Sequence, residues 1–141
     1  MSRKHDGPEG SLLFVCIENS SRSVMAEAFA RRLGLEASSA GTFPSTHVNE
    51  LVVEAMDEVG VDVSQSEPKE LTEEMIEGAG LVVLTDASLK EAIPGRFRKK
   101  MRRKVVEWNL PDPQGKPIEE IRDVRDRIED MVKALAGTTR R

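Results

Sequence analysis

The chain has one cysteine, two histidines, one tryptophan and no tyrosine among its 141 residues. A lone cysteine excludes an internal disulfide and any cysteine-rich zinc site, and it suits a reducing, cytoplasmic setting. Two histidines leave little material for a histidine-based metal centre, so no metal is expected. Four phenylalanines and the tryptophan are the whole aromatic inventory, too few for the stacking platforms of a nucleic-acid binder. No apolar stretch approaches the ~20 residues of a membrane span, so no membrane partner is expected. The first ten residues, MSRKHDGPEG, are polar and hold no apolar signal core. They read as a flexible tail rather than a secretory leader.

What is present is enough for one core. Hydrophobic residues make up 38% of the chain and charged residues 33%, a balance that predicts a single folded domain over residues 11–137 between short tails at 1–10 and 138–141. The charge is unevenly spread. Residues 96–104 carry seven positive charges and no negative one, so the rest of a chain of net charge −4 carries an excess of eleven negative charges. That excludes polyanion binding over the whole surface but allows a local basic patch. The run reads either as a solvated loop or short helix, or as a docking site for an acidic protein or polyanion.

Residues 12–16 are continuously apolar and rich in β-formers, as a strand buried on both faces would be. Residues 22–33 follow as a helix with Met25, Ala26, Phe29, Ala30 and Leu33 on one face, stopped at Gly34. Residues 37–40 suggest a second strand closed by Gly41. Asn49 caps a helix striped by Leu51, Val52, Ala55, Met56 and Val59 and ended by Gly60. Thr72 caps a short helix with Glu73 and Glu74 in its first turn. Residues 81–84 form a third strand, and Asp86 caps a short helix reaching Ala92. Residues 104–108 form a fourth strand, and residues 109–117 a proline-rich loop. The last helix spans residues 118–135 and buries Ile118, Ile121, Val124, Ile128, Met131, Val132 and Leu135. Buried strands alternating with helices predict an α/β fold, a four-stranded parallel sheet with helices on both faces. Ligands of such sheets sit at the carboxyl ends of the strands.

The first strand-to-helix turn holds the only cysteine. Cys16 closes the strand and Arg22 opens the helix six residues later, with Ile17, Glu18, Asn19, Ser20 and Ser21 between them. Amides of such a loop, with those of the helix start, can form a nest for a tetrahedral oxyanion. The helix end and Arg22 both favour a thiolate at Cys16, the form that attacks phosphorus or arsenic. Arg22 offers a planar fork for two oxyanion oxygens. Ser23 can donate its hydroxyl to the thiolate, and Asn19 can hold a strained turn. The competing interpretation makes Cys16 a small buried hydrophobe at a strand end. A phosphate ester also needs a proton donor for its leaving oxygen. Asp112, after the fourth strand and on the same rim, is the candidate; alternatively Asp112-Pro113-Gln-Gly is a simple turn.

Cys16-Ile-Glu-Asn-Ser-Ser-Arg-Ser-Val-Met-Ala-Glu27 resembles the signature of the low-molecular-weight protein tyrosine phosphatases and of the arsenate reductases that share their fold. Ser39-Ala-Gly-Thr42 and Leu110-Pro-Asp-Pro113 resemble two further landmarks in the right order, and the likeness extends over residues 12–135. The resemblance implies the phosphotyrosine protein phosphatase I-like sheet. It implies Cys16 as nucleophile, Arg22 as oxyanion clamp and Asp112 as general acid, acting through a cysteinyl-phosphate without metal or other cofactor.

Within the family the details diverge. Glu18 stands where the phosphatases usually carry glycine, and Ser21 where they often carry a second cysteine. Gln114-Gly115-Lys116 replaces their aromatic residues after Asp-Pro. Val48-Asn49-Glu50 and Glu107-Trp108-Asn109 look reductase-like. Yet thioredoxin-coupled reductases need two relay cysteines whose positions fall near Thr85 and Ala92. These differences rank a phosphatase acting on phosphomonoesters of the phosphotyrosine type first. A single-cysteine arsenate reductase, served by an external low-molecular-weight thiol or glutaredoxin-type protein, ranks second. A non-catalytic oxyanion-binding or docking module that uses the basic run is a third reading, opposed by the intact Cys16, Arg22 and Asp112.

Overall fold

A computed structural model describes residues 11–139. Four strands, β1 (Ser11–Cys16), β2 (Ala37–Gly41), β3 (Ala79–Leu84) and β4 (Val105–Glu107), form one sheet in the order β2-β1-β3-β4, and every pairing is parallel. The helices are α1 (Arg22–Arg32), α2 (Glu50–Asp57), α3 (Glu73–Gly78), α4 (Gly95–Met101) and α5 (Ile118–Thr139), with a 3₁₀ helix at Ala87–Ala92.

Side chains alternate across β1, so the strand feeds two cores. Leu12 and Phe14 pack with α1, α2 and α5 around Phe29, Met56, Ile121 and Ile128. Leu13 and Val15 pack with α3, α4 and the 3₁₀ helix around Ile76, Leu89 and Met101. Burial on both faces is why residues 12–16 are continuously apolar. The expected caps are present: the Asn49 side chain accepts the amide of Leu51, Thr72 that of Met75 and Asp86 that of Ser88. Gly34 and Gly60 follow their helices with φ of 86° and 79°, in the left-handed region that glycine occupies without strain.

Four details differ from the sequence reading. The basic run, which reads in the sequence as a loop or short helix outside the element order, forms most of a short helix, α4, between the 3₁₀ helix and β4. Only Phe97 and Met101 mark its inner side, four residues apart, and seven cations mask that spacing. The helix after Asp86 is 3₁₀ rather than α. Helix α5 runs on to Thr139, because Lys133 to Ala136 are good helix formers and no proline or left-handed glycine stops them. Residues 138 and 139, expected in the tail, are therefore helical, while the remaining tail positions, 1–10 and 140–141, lie outside the described residues. Leu51, placed in the apolar stripe of α2, is exposed.

Candidate functional site

The connection after β1 runs to β2 on one side and the connection after β3 runs to β4 on the other, which opens a crevice between the carboxyl ends of β1 and β3. Cys16 occupies that end, buried to 2% exposure. The loop that follows is held from outside by the segment after β2. The carbonyl oxygens of Cys16, Ile17, Glu18 and Ser20 accept the amides of Thr42, Phe43, Ser45 and Asn49 at 2.8–3.1 Å. In a planar trans peptide the next N–H points opposite to the carbonyl. The amides of Ile17, Glu18, Asn19 and Ser21 therefore turn inward, as the 3.1 Å bond from the Asn19 amide to Cys16 Sγ demonstrates.

The far side of this loop is the start of α1. Ser21, the N-cap residue, makes no side-chain cap, and the first turn holds no acid, so the positive end of the helix is left open to an anion. Ser23, one residue into α1, lies 2.8 Å from Cys16 Sγ through its hydroxyl.

Asn19 fixes the loop's shape. It adopts φ 52°, a left-handed conformation that asparagine tolerates better than most residues. Its amide nitrogen donates to the hydroxyls of Ser23 and Ser39, and its carbonyl oxygen accepts the amide of Lys69. Ser39 in turn donates to Glu27, which pairs with Arg31. The nucleophile candidate thus stands at one end of a buried polar chain running through Ser23, Asn19, Ser39 and Glu27.

Arg22 is buried to 3% exposure, with one terminal nitrogen 3.0 Å from the carbonyl oxygen of Leu110. That bond ties the cysteine loop to the Leu110-Pro-Asp-Pro113 loop, 88 residues away. The guanidinium faces two carboxylates, Asp86 at 3.5 Å and Asp112 at 3.9 Å. The amide of Ser88, its hydroxyl and the charge of Arg22 together hold the Asp86 carboxyl below its ordinary range, against the opposing effect of burial. Asp112 is half exposed and accepts the amide of Gln114. Arg22 Nε, by contrast, is a buried donor with no hydrogen-bond partner among the described residues.

The structure brings Cys16, Ile17, Glu18, Ser20, Ser21, Arg22 and Asp112 to the lining of one small cavity, together with Gln114. Asn19 and Ser23 stand behind Cys16 as supports rather than in that lining. The basic run does not contribute to it. Thr85 is buried, its hydroxyl donating to the carbonyl of Val15, and Ala92 ends the exposed 3₁₀ helix.

The sequence reading missed Asp86 as a neighbour of Arg22, having placed it only as a cap. It also missed Gly41 and Phe43, which back and flank the loop. Phe43 is 79% exposed and donates its amide to the carbonyl of Ile17, which lines the cavity and is 38% exposed. An aromatic residue directly after the Ser39-Ala-Gly-Thr42 stretch, which ends a strand, was the available signal.

Residues 11–141 match the family described as low molecular weight phosphotyrosine protein phosphatase. An arsenate reductase of Staphylococcus aureus is 35% identical over 130 residues, covering 87% of this chain and 93% of that protein. Arsenate reductase 2 of Staphylococcus epidermidis is 32% identical over 130 residues, covering 89% and 95%. Among solved structures, the YwlE arginine phosphatase from Geobacillus stearothermophilus is similar with a TM-score of 0.83 at 28% identity, covering 92% of each chain.

Proposed function

From the premise that the chain belongs to the low molecular weight phosphotyrosine protein phosphatase family, we propose that it hydrolyses phosphomonoesters of the phosphotyrosine type through a covalent intermediate on Cys16. The observation that carries this reading is the inward turn of the loop amides around Cys16 Sγ, with Arg22 and Asp112 on the same cavity.

In the first step the Cys16 thiolate attacks phosphorus and the ester P–O bond breaks. Asp112 gives its proton to the departing oxygen. The loop amides, the open end of α1 and the Arg22 fork stabilise the charge that develops on the equatorial oxygens. Arg22 Nε, a buried donor without a hydrogen-bond partner among the described residues, would find an acceptor there. Ser23 stabilises the thiolate as it forms and as it departs. In the second step water attacks the cysteinyl-phosphate, Asp112 takes the proton, and inorganic phosphate leaves with the thiolate restored. No electrons leave the protein. A thiolate that must stay reduced suits a reducing compartment such as the cytoplasm, and among the described residues no helix is long and apolar enough to cross a membrane.

The staphylococcal relatives favour a second reading, reduction of arsenate. Here the thiolate attacks arsenic and displaces water, giving a cysteinyl-arsenate. A second thiol then attacks sulfur, and the electron pair of the S–As bond reduces As(V) to arsenite. The chain holds one cysteine, so that second thiol is an external low-molecular-weight thiol or a glutaredoxin-type partner.

Turnover of p-nitrophenyl phosphate by the wild type and by Cys16→Ser tests the first reading. Activity in the wild type, lost in the variant, is expected. Retained turnover in Cys16→Ser would remove the cysteine from the reaction.

A further inference from the structure

A hollow of about 740 Å³ lies away from Cys16, between α4 and β4. Leu84, Met101 and Val105 contribute apolar atoms to its lining, and Lys90, Arg96, Arg98, Lys99 and Arg102 supply five cations. Glu107 is the one carboxylate there, and Lys90 neutralises it at 2.9 Å. Among the described residues no carboxylate pairs with Arg98, Lys99 or Arg102; Arg98 donates instead to the carbonyl of Lys90. On a chain of net charge −4 this is a local positive field over an apolar floor, suited to an acidic ligand.

The backbone narrows the class of ligand. β4 is the last strand of the sheet, so its outer side is an open edge. The amide of Val82 donates to Lys104, and the amide of Trp108 donates to Leu84. Successive residues of a strand turn their backbone groups to opposite sides. Lys104, Val106 and Trp108 therefore serve β3, and the N–H and C=O groups of Val105 and Glu107 face outward. Val105 and Glu107 are also the β4 residues that line the hollow. An extended polypeptide can pair with such an edge while its side chains meet the floor and the cations. Nucleic acid would find no aromatic side chain in this lining on which to stack a base.

We propose that the groove between α4 and the open edge of β4 binds an extended, acidic polypeptide segment. The charge comes from Arg98, Lys99 and Arg102, and the register from the outward backbone groups of Val105 and Glu107. This site is independent of the reaction at Cys16.

The test is a fluorescence-anisotropy titration of the full chain with a labelled peptide of alternating glutamate and leucine. A glutamate–serine peptide of equal charge and inorganic polyphosphate serve as competitors. The glutamate–leucine peptide should bind best, and its affinity should fall as salt is added. Combined Arg98→Glu, Lys99→Glu and Arg102→Glu, all exposed positions, should weaken it by about tenfold or more with an unchanged unfolding midpoint. Val105→Pro removes an outward N–H and no bond to β3, so it tests the edge separately. It should also weaken the peptide, but not polyphosphate. Unchanged peptide binding after the triple charge reversal would overturn the proposal. So would polyphosphate competing as well as the peptide, or a Val105→Pro variant that keeps its fold and binds the peptide normally.

Discussion

Gly41 pairs with Cys16 across the ladder between β1 and β2 and backs directly onto the loop between Cys16 and Arg22. A Cβ on Gly41 would lie 2.5 Å from the carbonyl oxygen of Ile17 and 2.9 Å from the amide nitrogen of Asn19. Both neighbours are backbone, so neither can swing aside. Gly41→Ala is expected to push the loop off Cys16 and to lower kcat/KM on p-nitrophenyl phosphate by ~10²-fold, the scale of an ångström's misplacement at a reacting centre. Secondary structure by circular dichroism should be retained. Normal kinetics in the alanine variant would show that the loop tolerates displacement.

The strand, the cysteine loop and the helix after it were legible in the sequence because their signals are local. A continuous apolar run, one cysteine and an apolar stripe of helical period lie within about twenty residues. The contacts that shape the site were not legible. Gly41 against Ile17, Asn19 against Ser39 and Lys69, and Arg22 against Asp86 and Leu110 join segments brought together only by the parallel crossovers. Asp86 could be seen as a cap from its neighbours, but its second partner required the β1–β3 pairing. Buried Arg125 was also missed: it falls on the apolar face of α5, four residues after Ile121 and three before Ile128, and its guanidinium reaches the carbonyl of Ala55 and the carboxylate of Glu58.

Asp112 stands 3.9 Å from Arg22 on the rim of the cavity, where a leaving oxygen would emerge. Asp112→Asn should slow phenyl phosphate far more than p-nitrophenyl phosphate, since only the poorer leaving group needs the proton. The loss on phenyl phosphate is expected in the ~10²–10⁴-fold range of general acids. Equal losses on both esters would assign the residue to positioning instead.

Glu58 joins α2 to α5. Its carboxylate takes two Arg122 nitrogens and one from Arg125 at 2.7–3.2 Å. The hydrogen bond from Arg122, with those of Arg125 and both charges, lowers its pKa from 4.5 to about 2. A carboxyl depressed in the folded state stabilises the fold fully above the unfolded value and loses that effect as pH falls through the folded one. The stability gap between the wild type and Glu58→Gln, read from urea unfolding, should be constant near neutrality. It should shrink as pH falls from 4.5 toward 2. Because the pair is solvent-accessible, added salt should narrow it as well. A gap independent of pH would assign the effect to packing.

The two enzymatic readings part at the fate of the sulfur. Hydrolysis returns Cys16 to a thiolate by attack of water on phosphorus, so phosphatase turnover should persist without added thiol. Arsenate reduction draws two electrons from thiols and leaves Cys16 bonded to whichever thiol attacked it. Thr85 is buried beneath β1 and Ala92 is an alanine, so neither can resolve that bond. Arsenate supplied with thioredoxin and thioredoxin reductase alone should therefore give little sustained turnover, and adding glutathione or glutaredoxin should restore it if arsenate is a substrate. Sustained turnover with thioredoxin alone would mean that thioredoxin itself reaches the sulfur in the cavity beside Arg22. Sustained arsenate turnover with a small thiol, alongside negligible hydrolysis of aryl phosphates, would make reduction the principal activity. The same Cys16, Asn19 and Ser23 contacts would then serve an arsenic oxyanion in place of a phosphoryl group.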